Sequence, residues 1–198
     1  MKYAKIVLSV VVILSVTFMV SCKNVSDKPN TPKEPELSNK FDGTFVAVNG
    51  LFGDLPFIGY GMNNLLEKVT GEKRARPHYV SGRIAMELLT AHRDGTLKHP
   101  LVLVGHSLGG NAVTDIAYIL GKEGVVVDYM VVVDAPVPRE IGSNVRDVTN
   151  FLCSKLSCVG VPLNKGEEFT YDVDHIPLGN DERLHRYIFK KLNLKYKD

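Results

Sequence analysis

The sequence has no tryptophan, no internal repeat and almost no charge imbalance, with 24 Lys and Arg against 22 Asp and Glu in 198 residues. A near-neutral chain has no electrostatic footprint for a nucleic-acid backbone. Composition shows no bias either: 44% hydrophobic and 23% charged residues exclude a disordered or collagen-like chain. The chain also lacks a run fit for a transmembrane helix. Its longest apolar stretch, residues 6–20, is short and interrupted by serine.

What that stretch does fit is export. Lys2 and Lys5 precede it, giving the charged and hydrophobic parts of a secretory signal over residues 1–21. Met19-Val20-Ser21-Cys22 closes the run and resembles the bacterial lipobox. That resemblance implies cleavage before Cys22, lipid modification of this new N-terminal cysteine, and attachment to a cell or outer membrane; Lys23 in place of an Asp favours the outer one. Stable anchoring takes about two or more acyl chains. A plain secreted protein with Cys22 incidental is the other reading. Removing Lys2 and Lys5 brings the formal charge of the mature chain from +2 to zero. Residues 22–40 then form a tether: three prolines, mixed charge and few large apolar groups cannot offset the entropy of ordering. Residues 41–198 remain for one folded domain, enough for a single core.

Cys153 and Cys158 lie close in sequence, and export makes a short-loop disulfide available to them. Geometry, not spacing, decides whether it closes. A metal site has less support, since no second Cys or His pair at ligand spacing accompanies them.

Residues 44–48 (TFVAV), 101–104 (LVLV) and 125–133 (VVVDYMVVV) are short apolar runs of the kind covered on both faces of a sheet. Weaker strands are expected at 77–80, 145–152 and 169–173. Helical spacing links Met62, Leu65, Leu66 and Val69; Ile84, Ala85, Leu88 and Leu89; Val113, Ile116, Ala117 and Leu120; and Leu184, Tyr187, Ile188 and Leu192. Gly121 is expected to stop the third helix, and Asn180 and Asp181 to start the last. This alternation predicts an α/β domain, a mostly parallel sheet of about six strands with helices on both faces. Ligands on such sheets gather at the carboxyl ends of the strands.

One strand ends in Gly105-His106-Ser107-Leu108-Gly109-Gly110 and leads into a helix. Gly-x-Ser-x-Gly in strand, turn, helix context is the pattern of a sharp nucleophile turn, where glycines relieve crowding and expose a serine hydroxyl. The helix amino terminus that follows favours developing negative charge. Here the chain resembles the α/β-hydrolase superfamily, most nearly its small lipase, esterase and thioesterase members, from about Thr44 to the C-terminus. Asn49-Gly50-Leu51-Phe52-Gly53 is similar to the family's His-Gly-Phe-x-Gly loop, with Asn49 in place of His. The resemblance implies that the backbone N–H groups of Leu51 and Leu108 form an oxyanion hole and that Asn49 alters loop bracing more than the donor.

A serine hydroxyl needs a base. His175 follows the FTYDV stretch and lies C-terminal to the serine, as the family order requires. His106 sits within the elbow, where the family's arrangement turns its ring from the serine; His92 and His99 fall in a polar connection, and His78 and His185 lie outside the pattern. The orienting acid is expected at Asp134, directly after the third apolar strand. The strand after it ends without a carboxylate, Asp174 faces away from its neighbour His175, and Asp147 and Asp172 read as solvated carboxylates.

These residues imply a serine hydrolase: Ser107 attacks an acyl ester or thioester, His175 moves the proton, Asp134 orients the ring, and no metal or cofactor takes part. The apolar segment 51–62 is either an acyl pocket or flap, or an ordinary packed loop. The short span from Asp134 to Val148 leaves no room for a helical lid domain, so an open site for modest acyl esters or membrane lipids is expected. Acyl transfer to an alcohol would use the same residues. A non-catalytic binding lipoprotein with this fold is the remaining alternative.

Overall fold

The computed structural model describes residues 37–51, 53 and 60–196. The signal segment, Cys22, most of the tether and much of the apolar segment 51–62 lie outside the described residues. Ser38, within the stretch read as tether, is hydrogen-bonded to the folded domain: its N–H donates to the Asn193 carbonyl, and its carbonyl accepts from Lys195.

Six strands, β1 (Thr44–Asn49), β2 (Arg76–Pro77), β3 (Leu101–His106), β4 (Val127–Val133), β5 (Val145–Cys153) and β6 (Glu167–Tyr171), form one sheet in the order β2-β1-β3-β4-β5-β6. Every neighbouring pair is parallel. The helices are α1 (Tyr60–Thr70), α2 (Ser81–Arg93), α3 (Leu108–Lys122), α4 (His175–Leu178) and α5 (Glu182–Lys191). Among the described residues no helix is long and apolar enough to cross a membrane.

The α/β architecture follows from pattern. β3 and β4 are almost wholly apolar and almost wholly buried, which requires cover on both faces. Ile84 and Leu88 of α2 and Val113, Ile116 and Leu120 of α3 pack against one face. Leu65 and Leu66 of α1 and Leu184 and Ile188 of α5 cover the other. Asp181 caps α5, its carboxylate accepting from the Arg183 N–H at 2.9 Å. Between β4 and β5 no helix intervenes, in keeping with the absence of a lid expected from that short span.

Three expectations need correction. The strand expected at 77–80 is reduced to Arg76–Pro77, followed by a 3-10 turn at His78–Val80. Proline has no N–H to extend a ladder, and this is an edge strand. Helix α3 runs through Gly121 to Lys122; the turn out of it uses Gly124 at φ 73°. Gly121 serves packing instead, since a Cβ there would lie 2.8 Å from the Asn144 side chain, whose amide donates to the carbonyls of Ala117 and Val125. His92 belongs to α2 and not to a polar connection.

The strand order reverses between β1 and β3: the chain steps outward from β1 to β2, then returns to β1's other side. A crevice opens at the carboxyl ends of two strands whose connections diverge in this way.

Candidate active site

A cavity of about 360 Å³ lies at that reversal, bordered by Gly50 and Leu51 after β1, Ser107 and Leu108 after β3, Pro136 after β4, and His175. Asn49, Met62, His106, Val159 and Ile176 also face it, and no Asp, Glu, Lys or Arg is among its described lining residues.

Ser107 stands between β3 and α3 at φ 58° and ψ −126°. This is a costly conformation for a residue with a side chain, of order 1–3 kcal/mol. The surroundings enforce it. A Cβ on Gly105 would lie 2.1 Å from the Gly109 carbonyl oxygen, and one on Gly109 would lie 2.1 Å from that of Val48. The elbow thus closes only with glycine on both sides of Ser107. Leu108 opens α3, and the first N–H groups of a helix have no intrahelical acceptor.

The loop after β1 comes equally close. A Cβ on Gly50 would sit 2.8 Å from the Ser107 Cβ and 3.3 Å from its Oγ, so Leu51 follows directly beside the serine. Asn49 is buried, and its amide donates to the Gly53 carbonyl at 3.2 Å and to Asn63 Oδ1 at 3.1 Å. Asn49 therefore braces the loop.

Asp134 leaves the end of β4 at φ 45° and is fully buried. Its Oδ2 pairs with His175 Nδ1 at 2.5 Å and accepts from the Val159 N–H at 3.0 Å; Oδ1 accepts from Gly160 at 3.0 Å and Cys153 at 3.4 Å. Burial opposes charge on this carboxyl. The hydrogen bonds from His175, Val159 and Cys153 outweigh it and hold its pKa below the ordinary value. Gly160 is fixed by this contact, because a Cβ there would meet Asp134 Oδ1 at 2.4 Å.

Of the N–H donors to Asp134, Cys153 is disulfide-bonded to Cys158, S–S 2.00 Å, and Val159 and Gly160 follow directly after that short loop. That bond settles the pairing left open by spacing. Asp134, Cys153 and His175 bring potential ligand atoms within 4.8 Å of one another, but the Cys153 sulfur is already bonded to Cys158, so this trio is a poor metal site.

His175 opens α4 with its N–H on Ser157 Oγ at 3.0 Å and its carbonyl on His106 Nε2 at 2.9 Å. His106, set aside as a base, borders the cavity with its ring 4.7 Å from that of His175. Burial, reinforced by the neighbouring His175, lowers its pKa to about 4.

Two other histidines and three carboxylates are engaged elsewhere. His99 pairs with Asp128, and His185 is buried with Nε2 on the Gly179 carbonyl. Asp174 accepts from Ser157, Asp147 pairs with Lys191, and Asp172 pairs with Lys155. The structure thus places Ser107, His175, Leu51 and Leu108 around one cavity, with Asp134 buried behind His175; Cys22 lies outside the described residues. Ser157, Val159 and Gly160 were not foreseen. The Cys153 and Cys158 pair was the one sequence sign that a closed loop lay there.

No protein-family model matches the chain, and no curated protein matches it in sequence. Among solved structures, a candidate hydrolase of the alpha/beta superfamily from Xanthomonas campestris pv. campestris is 16% identical, with 76% of this chain and 98% of that one covered and a TM-score of 0.51. A protein of unknown function from Agrobacterium tumefaciens str. C58 is 17% identical, covering 77% of this chain and 92% of that one, with a TM-score of 0.47. The first likeness establishes a shared α/β fold, the one carried by that hydrolase superfamily.

Proposed function

We propose that the protein is a serine hydrolase acting on carboxylic esters or thioesters. One observation carries the reading: a serine forced into a left-handed elbow shares a cavity with a histidine whose other ring nitrogen is held by a buried carboxylate. In the proposed reaction Ser107 Oγ attacks the acyl carbonyl as His175 Nε2 takes its proton. The N–H groups of Leu51 and Leu108 receive the charge formed on the carbonyl oxygen. His175 then protonates the leaving alcohol or thiol, and water repeats the sequence on the acyl-enzyme, releasing an acid and restoring Ser107. Asp134 keeps the Nδ1–H tautomer and stabilises the imidazolium.

The absence of Asp, Glu, Lys and Arg from the described lining of the cavity supports a neutral acyl group at the reacting centre. The lipobox-like end supports tethering through Cys22 at a membrane, where lipid esters are at hand. Hydrolysis of p-nitrophenyl butyrate by the full chain tests the chemistry: turnover lost in Ser107→Ala supports it, and turnover kept in that variant refutes it. Cell fractionation tests the tether, since Cys22→Ser releases the protein from membranes if the cysteine is the anchor, and continued membrane attachment refutes that part.

A further inference from the structure

The ring of His175 is held by Asp134, but a ring is only as well placed as its backbone. His175 begins α4, which is four residues long; one helical turn does not stabilise itself. Both ends of its main chain are instead held by side chains from other loops. The N–H donates to Ser157 Oγ at 3.0 Å, and the Ser157 hydroxyl in turn donates to Asp174 Oδ1 at 2.9 Å. The carbonyl accepts from His106 Nε2 at 2.9 Å.

We propose that His106 and Ser157 are positioning residues that clamp the His175 main chain, with His106 making the dominant contact by tying the base to the residue next to the nucleophile. This inference rests on the serine-hydrolase reading. His106 directly precedes Ser107, so its hydrogen bond links elbow and base by a very short path, and a shift of either moves both.

Three further observations support the arrangement. The His106 ring lies against the His175 ring at 4.7 Å and 32°, which limits sideways motion of the imidazole. Gly179 passes over the other edge of His106, where a Cβ would be 3.4 Å from Nδ1. With its pKa lowered to about 4 by burial and by His175, His106 is neutral at neutral pH, and donation from Nε2 leaves Nδ1 unprotonated. A neutral ring can touch the imidazolium that forms on His175 without opposing it. The two clamps are unequal because Ser157 is exposed and water can replace its hydroxyl, whereas the His106 contact is part-buried.

The test uses p-nitrophenyl butyrate and the full chain, after a thermal melt confirms that each variant is folded. Ser107-dependent turnover in the wild type establishes the reaction, and its absence sinks the serine-hydrolase reading itself. Given that turnover, His106→Leu is expected to lower kcat about 30- to 100-fold with KM nearly unchanged, as a misplaced catalytic group does. His106→Gln, which keeps a donor, is expected to recover to within about fivefold of wild type, and Ser157→Ala to lose about fivefold. Ring resonances of His175 in nitrogen-15 spectra should move in His106→Leu and return in His106→Gln. Wild-type kcat in His106→Leu, or equal losses in the Leu and Gln variants with no shift at His175, overturns the proposal.

Discussion

The two halves of the sheet's carboxyl edge are built by different means. On the β1 and β3 side, crowding does the positioning: a Cβ on Gly50, Gly105 or Gly109 would lie only 2.1–2.8 Å from its nearest neighbouring atom, and steric exclusion shapes the elbow. On the β4 to β6 side, hydrogen bonds and one covalent link do the positioning: three N–H groups hold Asp134, two side chains hold the His175 main chain, and a disulfide closes the short loop that carries Cys153 and Ser157 and runs directly into Val159 and Gly160. Crowding fixes the strained backbone of Ser107, the proposed nucleophile. Hydrogen bonds fix the proposed base, whose charge changes during the proposed reaction, and the carboxylate that stabilises it.

The comparison can be broken at either half. The largest effect is expected on the hydrogen-bonded side, where Asp134→Asn should lower kcat on p-nitrophenyl butyrate by about 10³- to 10⁴-fold with the fold retained, because the His175 tautomer is no longer imposed. Steady-state kinetics beside a circular dichroism melt checks this, and near-normal turnover would move the acid elsewhere. On the crowded side, Gly109→Ala should destabilise the chain by about 3 kcal/mol or more, since the Val48 carbonyl that it meets is backbone and cannot swing away. Denaturant titration would show it as a lower midpoint.

Acid sharpens the contrast. The folded pKa of His106 lies near 4, below its ordinary value of 6.5, so the unfolded chain binds the proton first. Stability is therefore complete above about pH 6.5, falls as pH drops toward about 4 by up to about 3 kcal/mol, and loses no more from this group below that. His185, buried and likewise lowered, adds a smaller slope of the same sign. Melting temperature against pH should flatten in His106→Gln. The smallest effect is expected from Cys153→Ala with Cys158→Ala. So short a loop constrains the unfolded chain by only about 2 kcal/mol, and kcat should fall about tenfold as the Asp134 cradle loosens. Unchanged kcat would show that hydrogen bonds alone hold the cradle.

The same difference explains what could be read in advance. Crowding requires glycine at fixed offsets, so Gly105-His106-Ser107-Leu108-Gly109 and Asn49-Gly50-Leu51 are visible as text. The apolar strands and helical periodicities were equally visible, because burial on two faces or one leaves a pattern in residue type. Asp134 and His175 could be placed by their strand ends. Their supports could not: Val159, Gly160 and Cys153 act through main-chain N–H groups, which any residue but proline supplies, and Ser157 is one serine among many. The His106 contact depends on a rotamer and on where α4 begins. The short β2 and the true end of α3 were missed because local composition competes there with the packing of Pro77 and Asn144.

The central claim is that Ser107 is activated by His175 across these two halves. Treating the full chain with a fluorophosphonate and mapping the adduct by mass spectrometry tests it most directly. The account predicts one phosphonate on Ser107, absent in Ser107→Ala and slowed at least a hundredfold in His175→Ala. Folded wild-type protein that takes up no label, or labels as fast without His175, would contradict it.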